Sequence, residues 1–164
     1  MAKFLLGIAI VAFTSFCGYL LTKKYRRRKL FFTQFYEFNE RFLNEIAYYR
    51  RPLAEFVSNY AYRGEFNELL ERYVEKTSGR NGSFDLVSDN TTFDFLKQDE
   101  KRAICDYFSM LGKGDSNSQK NYFSSVKDTI GKFRKEAEDT NKRYGDLYIK
   151  LGFLCGLLIL ILII

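Results

Sequence analysis

The chain has 164 residues, a formal net charge of +6, and neither histidine nor tryptophan. Histidine is the commonest general base and metal ligand, so its absence argues against most catalytic and metal-dependent function classes. Cys17, Cys105 and Cys155 show no CxxC spacing, so neither a disulfide framework nor a zinc site is predicted. Residues 30–149 hold 18 basic and 20 acidic residues, so the positive charge is local and no nucleic-acid-binding face is expected.

Residues 4–21 are predicted to form a transmembrane helix. These eighteen residues carry no charge, and as a helix they cover about 27 Å of a hydrocarbon core about 30 Å thick. The alternative is a cleavable signal peptide, which carries its positive charge before its apolar stretch. Here one lysine precedes the stretch and six cations follow it, which favours an uncleaved anchor.

A basic cluster follows this predicted span and indicates its orientation. Cytoplasmic flanks of membrane spans carry an excess of lysine and arginine, so the N-terminus is predicted to lie outside and the middle of the chain inside. These membrane-flanking residues are Lys23, Lys24, Arg26, Arg27, Arg28 and Lys29.

The next part of the chain shows three successive helical stripes of apolar residues. The first runs from Phe31 to Tyr49 in steps of three or four, and no helix breaker separates it from the first span. Pro52 interrupts the pattern and suits the first position of a second helix. The third stripe runs from Phe66 to Val74.

A polar stretch separates these helices from the second half of the chain. Residues 78–92 are rich in glycine, asparagine and serine, which predicts a loop. A helix beginning at Phe93 or Gln98 is predicted to run to Leu111, with Gly112 as its C-cap candidate.

The last predicted helix is long and continues into a second transmembrane helix at residues 147–164. Ser116 or Ser118 is predicted to cap its N-terminus. A buried C-terminal helix is the alternative, but the last seven residues are all isoleucine or leucine and leave no polar face. Gly152 and Gly156 form a GxxxG spacing, which makes them candidates for packing of the two spans.

Together the elements predict an all-α fold, an antiparallel helical bundle flanked by N- and C-terminal transmembrane helices. The predicted domains are a transmembrane helix at 4–21, a cytoplasmic bundle at 23–146 and a transmembrane helix at 147–164, with both termini outside. The aromatic stripes are typical of a protein core. No catalytic residue, metal site or cofactor is predicted.

Three stretches of the chain carry a recognisable pattern, "LNEIAYYRRPLAEF" at 43–56, "LGKGDSNSQ" at 111–119 and "YGDLYIKLGFLCGLLILILI" at 144–163. In this order they resemble the stage III sporulation protein AB family of endospore-forming Firmicutes. The family is itself similar to the membrane-platform F protein of type II secretion systems and type IV pili. The resemblance implies a component of the channel, or feeding-tube, apparatus in the mother-cell membrane around the forespore.

The resemblance also implies partners. These are other stage III sporulation proteins, including a secretion-type ATPase similar to protein AA, and membrane lipid, while a homo-oligomer is left open. The candidate partner-binding residues at matching positions are Glu45, Tyr48, Asp115 and Gln119.

The leading functional hypothesis is a non-enzymatic assembly platform that docks a cytoplasmic ATPase. The alternative is a bitopic membrane sensor or small-molecule-binding helical protein, and a pocket of several hundred Å³ between helices would favour it. A membrane-bound enzyme is disfavoured by the missing histidine and the lack of a catalytic motif.

Overall fold

The computed structural model is all-α throughout the residues that it describes, which are 2–48, 53–58, 61–77, 79, 84–89, 91–113 and 115–163. Side chains at 2–6, 46–48, 53–54, 58 and 163 lie outside the description. Within these ranges the helices are α1 (Ala2–Tyr48), α2 (Leu53–Ser58), α3 (Gly64–Thr77), α4 (Gln98–Met110) and α5 (Ser116–Ile163).

The chain divides into two compact units. The terminal unit combines Met1–Lys29 with Glu136–Ile164, and the middle unit is Leu30–Lys135. Each of the two long helices, α1 and α5, contributes residues to both units.

The core of the middle unit is built from aromatic rings. Phe38 is fully buried, and the ring centroids of Phe56, Phe66 and Phe108 lie 5.4, 5.8 and 6.0 Å from its own. Each such aromatic pair contributes about 0.5–1.5 kcal/mol beyond the burial of its area. The buried phenylalanines of α1 are Phe31, Phe32, Phe35, Phe38 and Phe42.

Two polar side chains of α1, Gln34 and Asn39, are buried in this core, and each makes two hydrogen bonds. The Tyr107 hydroxyl donates to Asn39 Oδ1 at 2.9 Å, and Asn39 Nδ2 donates to the Phe123 carbonyl at 3.3 Å. Gln34 exchanges two hydrogen bonds with the backbone of Arg63, at 2.9 and 2.6 Å. Because a buried polar group without a partner is costly, these bonds favour one register of α1 against α4 and α5.

The terminal unit leaves large apolar side chains exposed, which soluble proteins seldom do over a contiguous area. Among the described residues, one helix, Ser116–Leu162, is long and apolar enough to cross a membrane. The segment predicted as the first span begins among the residues whose side chains are not described. The exposed apolar side chains of this unit are Ile8, Phe13, Phe16, Tyr19, Leu20, Leu21, Leu147, Leu151, Phe153, Leu154, Leu158, Ile159, Ile161 and Leu162.

The helices predicted from apolar spacing are confirmed, with α4 beginning at Gln98. Gly112 follows α4 with a φ of 73°, the left-handed conformation that glycine adopts readily after a helix. Pro52 lies outside the described residues.

The predicted cap of α5 is wrong, because Asp115 and neither Ser116 nor Ser118 is the N-cap. Its carbonyl accepts from the Gln119 amide at 3.0 Å, the first hydrogen bond of the helix. Its side-chain Oδ2 accepts from the amides of Asn117 and Ser118 at 3.2 and 3.4 Å. Serine and aspartate are equally good N-caps, so spacing alone did not separate them.

Candidate interface sites

Two of the predicted partner-binding residues lie at the start of α5. Asp115 is exposed and Gln119 is half-buried. Hydrogen bonds from the hydroxyl and the amide of Ser118 lower the pKa of the Asp115 carboxyl. A charged carboxylate at this position also interacts favourably with the positive end of the α5 dipole. Asp115 therefore combines a role in helix capping with an accessible negative charge.

The other two predicted partner-binding residues lie near the end of α1. Glu45 is only 7% exposed, so most of its side chain is covered by this chain itself. Tyr48 is the last residue of α1, and its side chain lies outside the described part. Among the three candidates whose side chains the structure describes, Asp115 and Gln119 thus offer a surface that a partner could reach.

The basic cluster is not uniform in its surroundings. Lys23, Lys24 and Arg26 are exposed, and the Arg26 guanidinium lies 5.1 Å from the centre of the Tyr19 ring. Arg28 is 5% exposed, and its Nη2 lies 3.6 Å from Glu136 Oε1 on α5. The cluster therefore contains solvent-exposed cations and one buried cation that is packed within the terminal unit.

Three tyrosines stack beside this cluster in the terminal unit. The ring of Tyr25 on α1 lies 5.5 Å from that of Tyr144 and 6.2 Å from that of Tyr148, both on α5. Tyrosine is enriched where a membrane meets water, because its ring is apolar and its hydroxyl is polar.

Glycines allow the backbones of α1 and α5 to touch in the terminal unit. A Cβ on Gly152 would lie 2.6 Å from the Thr14 carbonyl oxygen, and one on Gly18 would lie 2.6 Å from the Tyr148 carbonyl oxygen. A Cβ on Gly156 would collide with the Thr14 hydroxyl. The two glycines predicted for span packing thus both lie against α1, at distances that no larger residue permits.

Sequence reasoning missed the α1 half of this contact. Gly18 faces Tyr148, and a Cβ on Gly7 would collide with the Leu160 side chain. The signal was present, because Gly7, Thr14 and Gly18 follow one another at steps of seven and four, which keeps small residues on one helical face.

The middle unit carries an open groove of about 540 Å³ between α3 and α4. Its lining includes the aromatic rings of Tyr73, Phe84 and Phe108 and the charged groups of Lys76 and Asp106. In the described part of the chain, no group of three or more histidine, cysteine, aspartate or glutamate side chains is arranged to hold a metal ion.

The model of the stage III sporulation protein AB family matches residues 3–164. The chain belongs to this family. Membership gives it a role in stage III of sporulation. Searches among curated proteins and among solved structures gave no significant match.

The three stretches that carry the resemblance to stage III sporulation protein AB occupy helix ends and the glycine contact. Residues 43–56 include the end of α1 and the start of α2, and residues 111–119 join α4 to α5. The third stretch, 144–163, contains Tyr148, Gly152 and Gly156. Much of the family pattern in this chain therefore serves capping and helix packing.

Proposed function

We propose that this stage III sporulation protein AB is a non-enzymatic membrane platform of the channel apparatus that joins mother cell and forespore. The observation that carries the proposal is the contrast between the two units. The terminal unit pairs two helical segments through glycines and turns apolar side chains outward, as a pair of membrane spans does. The middle unit encloses its aromatic side chains.

In this proposal the chain forms a membrane hairpin in the mother-cell membrane, with both termini outside. The spans are residues 4–21 and 147–164, and residues 23–146 form an antiparallel bundle in the cytoplasm. The exposed cations at the end of the first span support this orientation. The antiparallel arrangement is supported by the pairing of Phe32 with Phe133 and of Phe42 with Phe123, because positions rise along α1 as they fall along α5.

The cytoplasmic bundle would dock a secretion-type ATPase of the stage III apparatus. Asp115 and Gln119 support this role, because they are accessible residues within a stretch that resembles the family pattern.

The test is affinity purification of the tagged full-length chain from sporulating cells, followed by mass spectrometry. Asp115→Asn is the informative variant, because asparagine caps a helix as well as aspartate and removes only the charge. We expect the wild type to recover stage III proteins with the ATPase, and the variant to recover less ATPase. Asp106→Asn, another exposed site, is the matched control. Absence of stage III proteins from the wild-type preparation would contradict the platform.

A second candidate function is a bitopic sensor or small-molecule-binding protein. It is favoured by the groove between α3 and α4, whose volume of about 540 Å³ lies in the range of ligand sites. A ligand that raises the melting temperature of the wild type and has no effect on a Phe84→Lys variant would support this function over the platform.

A further inference from the structure

The middle unit has a strongly segregated charge. Residues 120–135 of α5 hold five basic residues and one acidic residue, whereas residues 30–119 hold eleven basic and fifteen acidic residues. Residues 120–135 of α5 therefore carry a net positive charge, and the rest of the middle unit carries a net negative charge.

Three of these cations, Lys127, Lys132 and Lys135, line a groove between α1 and α5. The groove has a volume of about 380 Å³. We call it the Tyr36 groove, and its lining consists of Tyr36, Lys127, Asp128, Gly131, Lys132 and Lys135.

Two cations of α5 lie close to the ring of Tyr36. The Arg134 guanidinium lies 4.4 Å from the ring centre, and the Lys127 ammonium lies 5.7 Å from it. Gly131 stands between them, and a Cβ there would reach Tyr36 Cε2 at 3.6 Å. Tyrosine and arginine are the residue types that most often carry the binding energy of protein interfaces.

Most cations of the groove have no carboxylate of their own. Lys127 pairs with Glu40 at 2.9 Å. For Lys132, Arg134 and Lys135, no carboxylate among the described residues lies within ion-pair distance. Lys132 and Lys135 in the groove, together with Arg134 beside the Tyr36 ring, thus present three positive charges whose counter-charge must come from solvent or from a partner.

A second copy of the chain is a less favourable partner for these cations than an acidic segment. Residues 30–135 hold sixteen basic and sixteen acidic residues, so the middle unit of a second copy would bring no excess of negative charge. Some of its carboxylates are also paired already, as Glu68 is with Arg72 at 2.7 Å and Glu37 is with Arg41 at 3.8 Å.

The composition of the groove also fits a protein better than a lipid surface. Asp128 lies among the cations, and a continuous layer of anionic headgroups could not avoid its negative charge. A shaped segment can instead place its carboxylates on Arg134 and Lys132 and its apolar side chains on the Tyr36 ring.

We infer that the Tyr36 groove docks an acidic segment of another protein of the assembly. The inference rests on the proposed platform function and assigns that platform a second docking surface, separate from the Asp115 turn.

The test places a photo-cross-linking residue, p-benzoylphenylalanine, at Asp128 of the full-length chain in sporulating cells. This position lines the groove, and its replacement leaves every cation in place. Irradiation followed by mass spectrometry identifies the cross-linked peptide. We expect a peptide of another protein with a net negative charge.

Charge reversal then tests the recognition chemistry. Lys132→Glu with Lys135→Glu changes two exposed side chains, and the cross-link is expected to fall at least about tenfold. Replacing the acidic residues of the captured segment by lysine should restore the cross-link.

A second variant tests the arginine beside the tyrosine ring. Arg134→Gln, which keeps the side-chain stem against Tyr36, should also weaken the cross-link. The control, Lys113→Glu with Lys120→Glu, makes the same change of charge outside the groove and should leave the cross-link unchanged.

The inference is overturned by a cross-link to lipid, to a second copy or to nothing, and equally by a cross-link that survives charge reversal in the groove. Recovery of stage III proteins with the wild-type chain is measured in parallel. If it persists while the cross-link fails, the docking surface is wrong and the platform function stands.

Discussion

Asp115 illustrates how a single side chain serves both the fold and the surface. Its carboxylate caps α5 through two backbone amides, and it remains exposed at the turn after α4. A substitution intended to probe binding therefore also changes the helix terminus unless the new residue is itself a cap.

The first prediction separates these two effects of Asp115. Asp115→Ala should lower the melting temperature of the full-length chain in detergent by a few degrees, because the amides of Asn117 and Ser118 lose their acceptor. Asp115→Asn should melt close to the wild type. Circular dichroism during heating measures both. Equal melting of the alanine variant and the wild type would show that this cap contributes no stability.

Asp89 is the central acceptor of a network that fixes the segment between α3 and α4. Arg72 Nη1 donates to Asp89 Oδ2 at 2.7 Å, and the amides of Thr91 and Thr92 donate to Oδ1 at 2.9 and 3.1 Å. Lys101 Nζ donates to the Asp89 carbonyl at 2.6 Å. Burial raises the pKa of the Asp89 carboxyl, but the hydrogen bonds from Arg72, Thr91 and Thr92 outweigh it and hold the pKa well below its usual range.

The second prediction concerns the pH dependence that this lowered pKa produces. Asp89→Asn should cost about 1–3 kcal/mol of the free energy of unfolding at neutral pH. The pKa of Asp89 in the folded state lies below its unfolded-state value of about 3.9. The charged carboxylate therefore stabilises the folded state fully above about pH 3.9, and this stabilisation is lost as the pH falls below that value. In denaturant titrations at decreasing pH, the free energies of unfolding of the wild type and the variant should therefore converge. A difference that stays constant down to about pH 3 would contradict the role of the charged form.

At the scale of elements, the glycine contact is the feature that pairs α1 with α5 in the terminal unit. Backbone atoms of the two helices lie where the Cβ of any larger residue would stand. Such close approach allows van der Waals contact to stabilise helix pairs where no hydrophobic driving force acts between them.

The third prediction is that Gly152→Ala destabilises the chain in detergent by about 1–3 kcal/mol, because the new Cβ must displace the α1 backbone at Thr14. Gly145→Ala is the matched control, since a Cβ there meets only the Asn141 side chain of its own helix, at 3.6 Å and beyond. Thermal unfolding of the two variants measures the difference. If both melt alike, the glycine contact does not hold the pair together.

The elements were largely predictable because helical periodicity is a local property of the sequence. The buried positions Phe31, Phe35, Phe38 and Phe42 follow directly from their spacing. The burial of Phe32 does not follow from this spacing, because its ring packs against the ring of Phe133 on α5, 5.5 Å away between centroids.

The candidate sites were less predictable because they depend on pairs of residues far apart in sequence. The family pattern pointed to Asp115 but gave no sign that it caps α5. The contacts of the Tyr36 ring with Arg134 and Lys127 arise only when α1 and α5 are packed together. Gly18 likewise becomes recognisable only from its contact with Tyr148.

At the scale of the whole molecule, charge and apolar surface are separated along the chain. Residues 30–135 hold sixteen basic and sixteen acidic residues, so the net positive charge comes from the cluster at residues 23–29. The exposed large apolar side chains lie in the terminal unit, apart from Leu30 and Met110 among the described residues. This separation is what a membrane hairpin with a water-exposed cytoplasmic domain requires.

The central claim is that this stage III sporulation protein AB holds residues 23–146 in the mother-cell cytoplasm between two spans. The most direct measurement is labelling with a membrane-impermeant maleimide in protoplasts of non-sporulating cells that express the chain in their cell membrane, after Cys17, Cys105 and Cys155 are replaced by serine. Ala2→Cys reports on the N-terminus, and Lys113→Cys reports on an exposed position of the middle unit.

The account predicts labelling of Ala2→Cys in intact protoplasts, and labelling of Lys113→Cys only after the membrane is permeabilised. Labelling of Lys113→Cys in intact protoplasts would place the middle unit outside the membrane and contradict the hairpin.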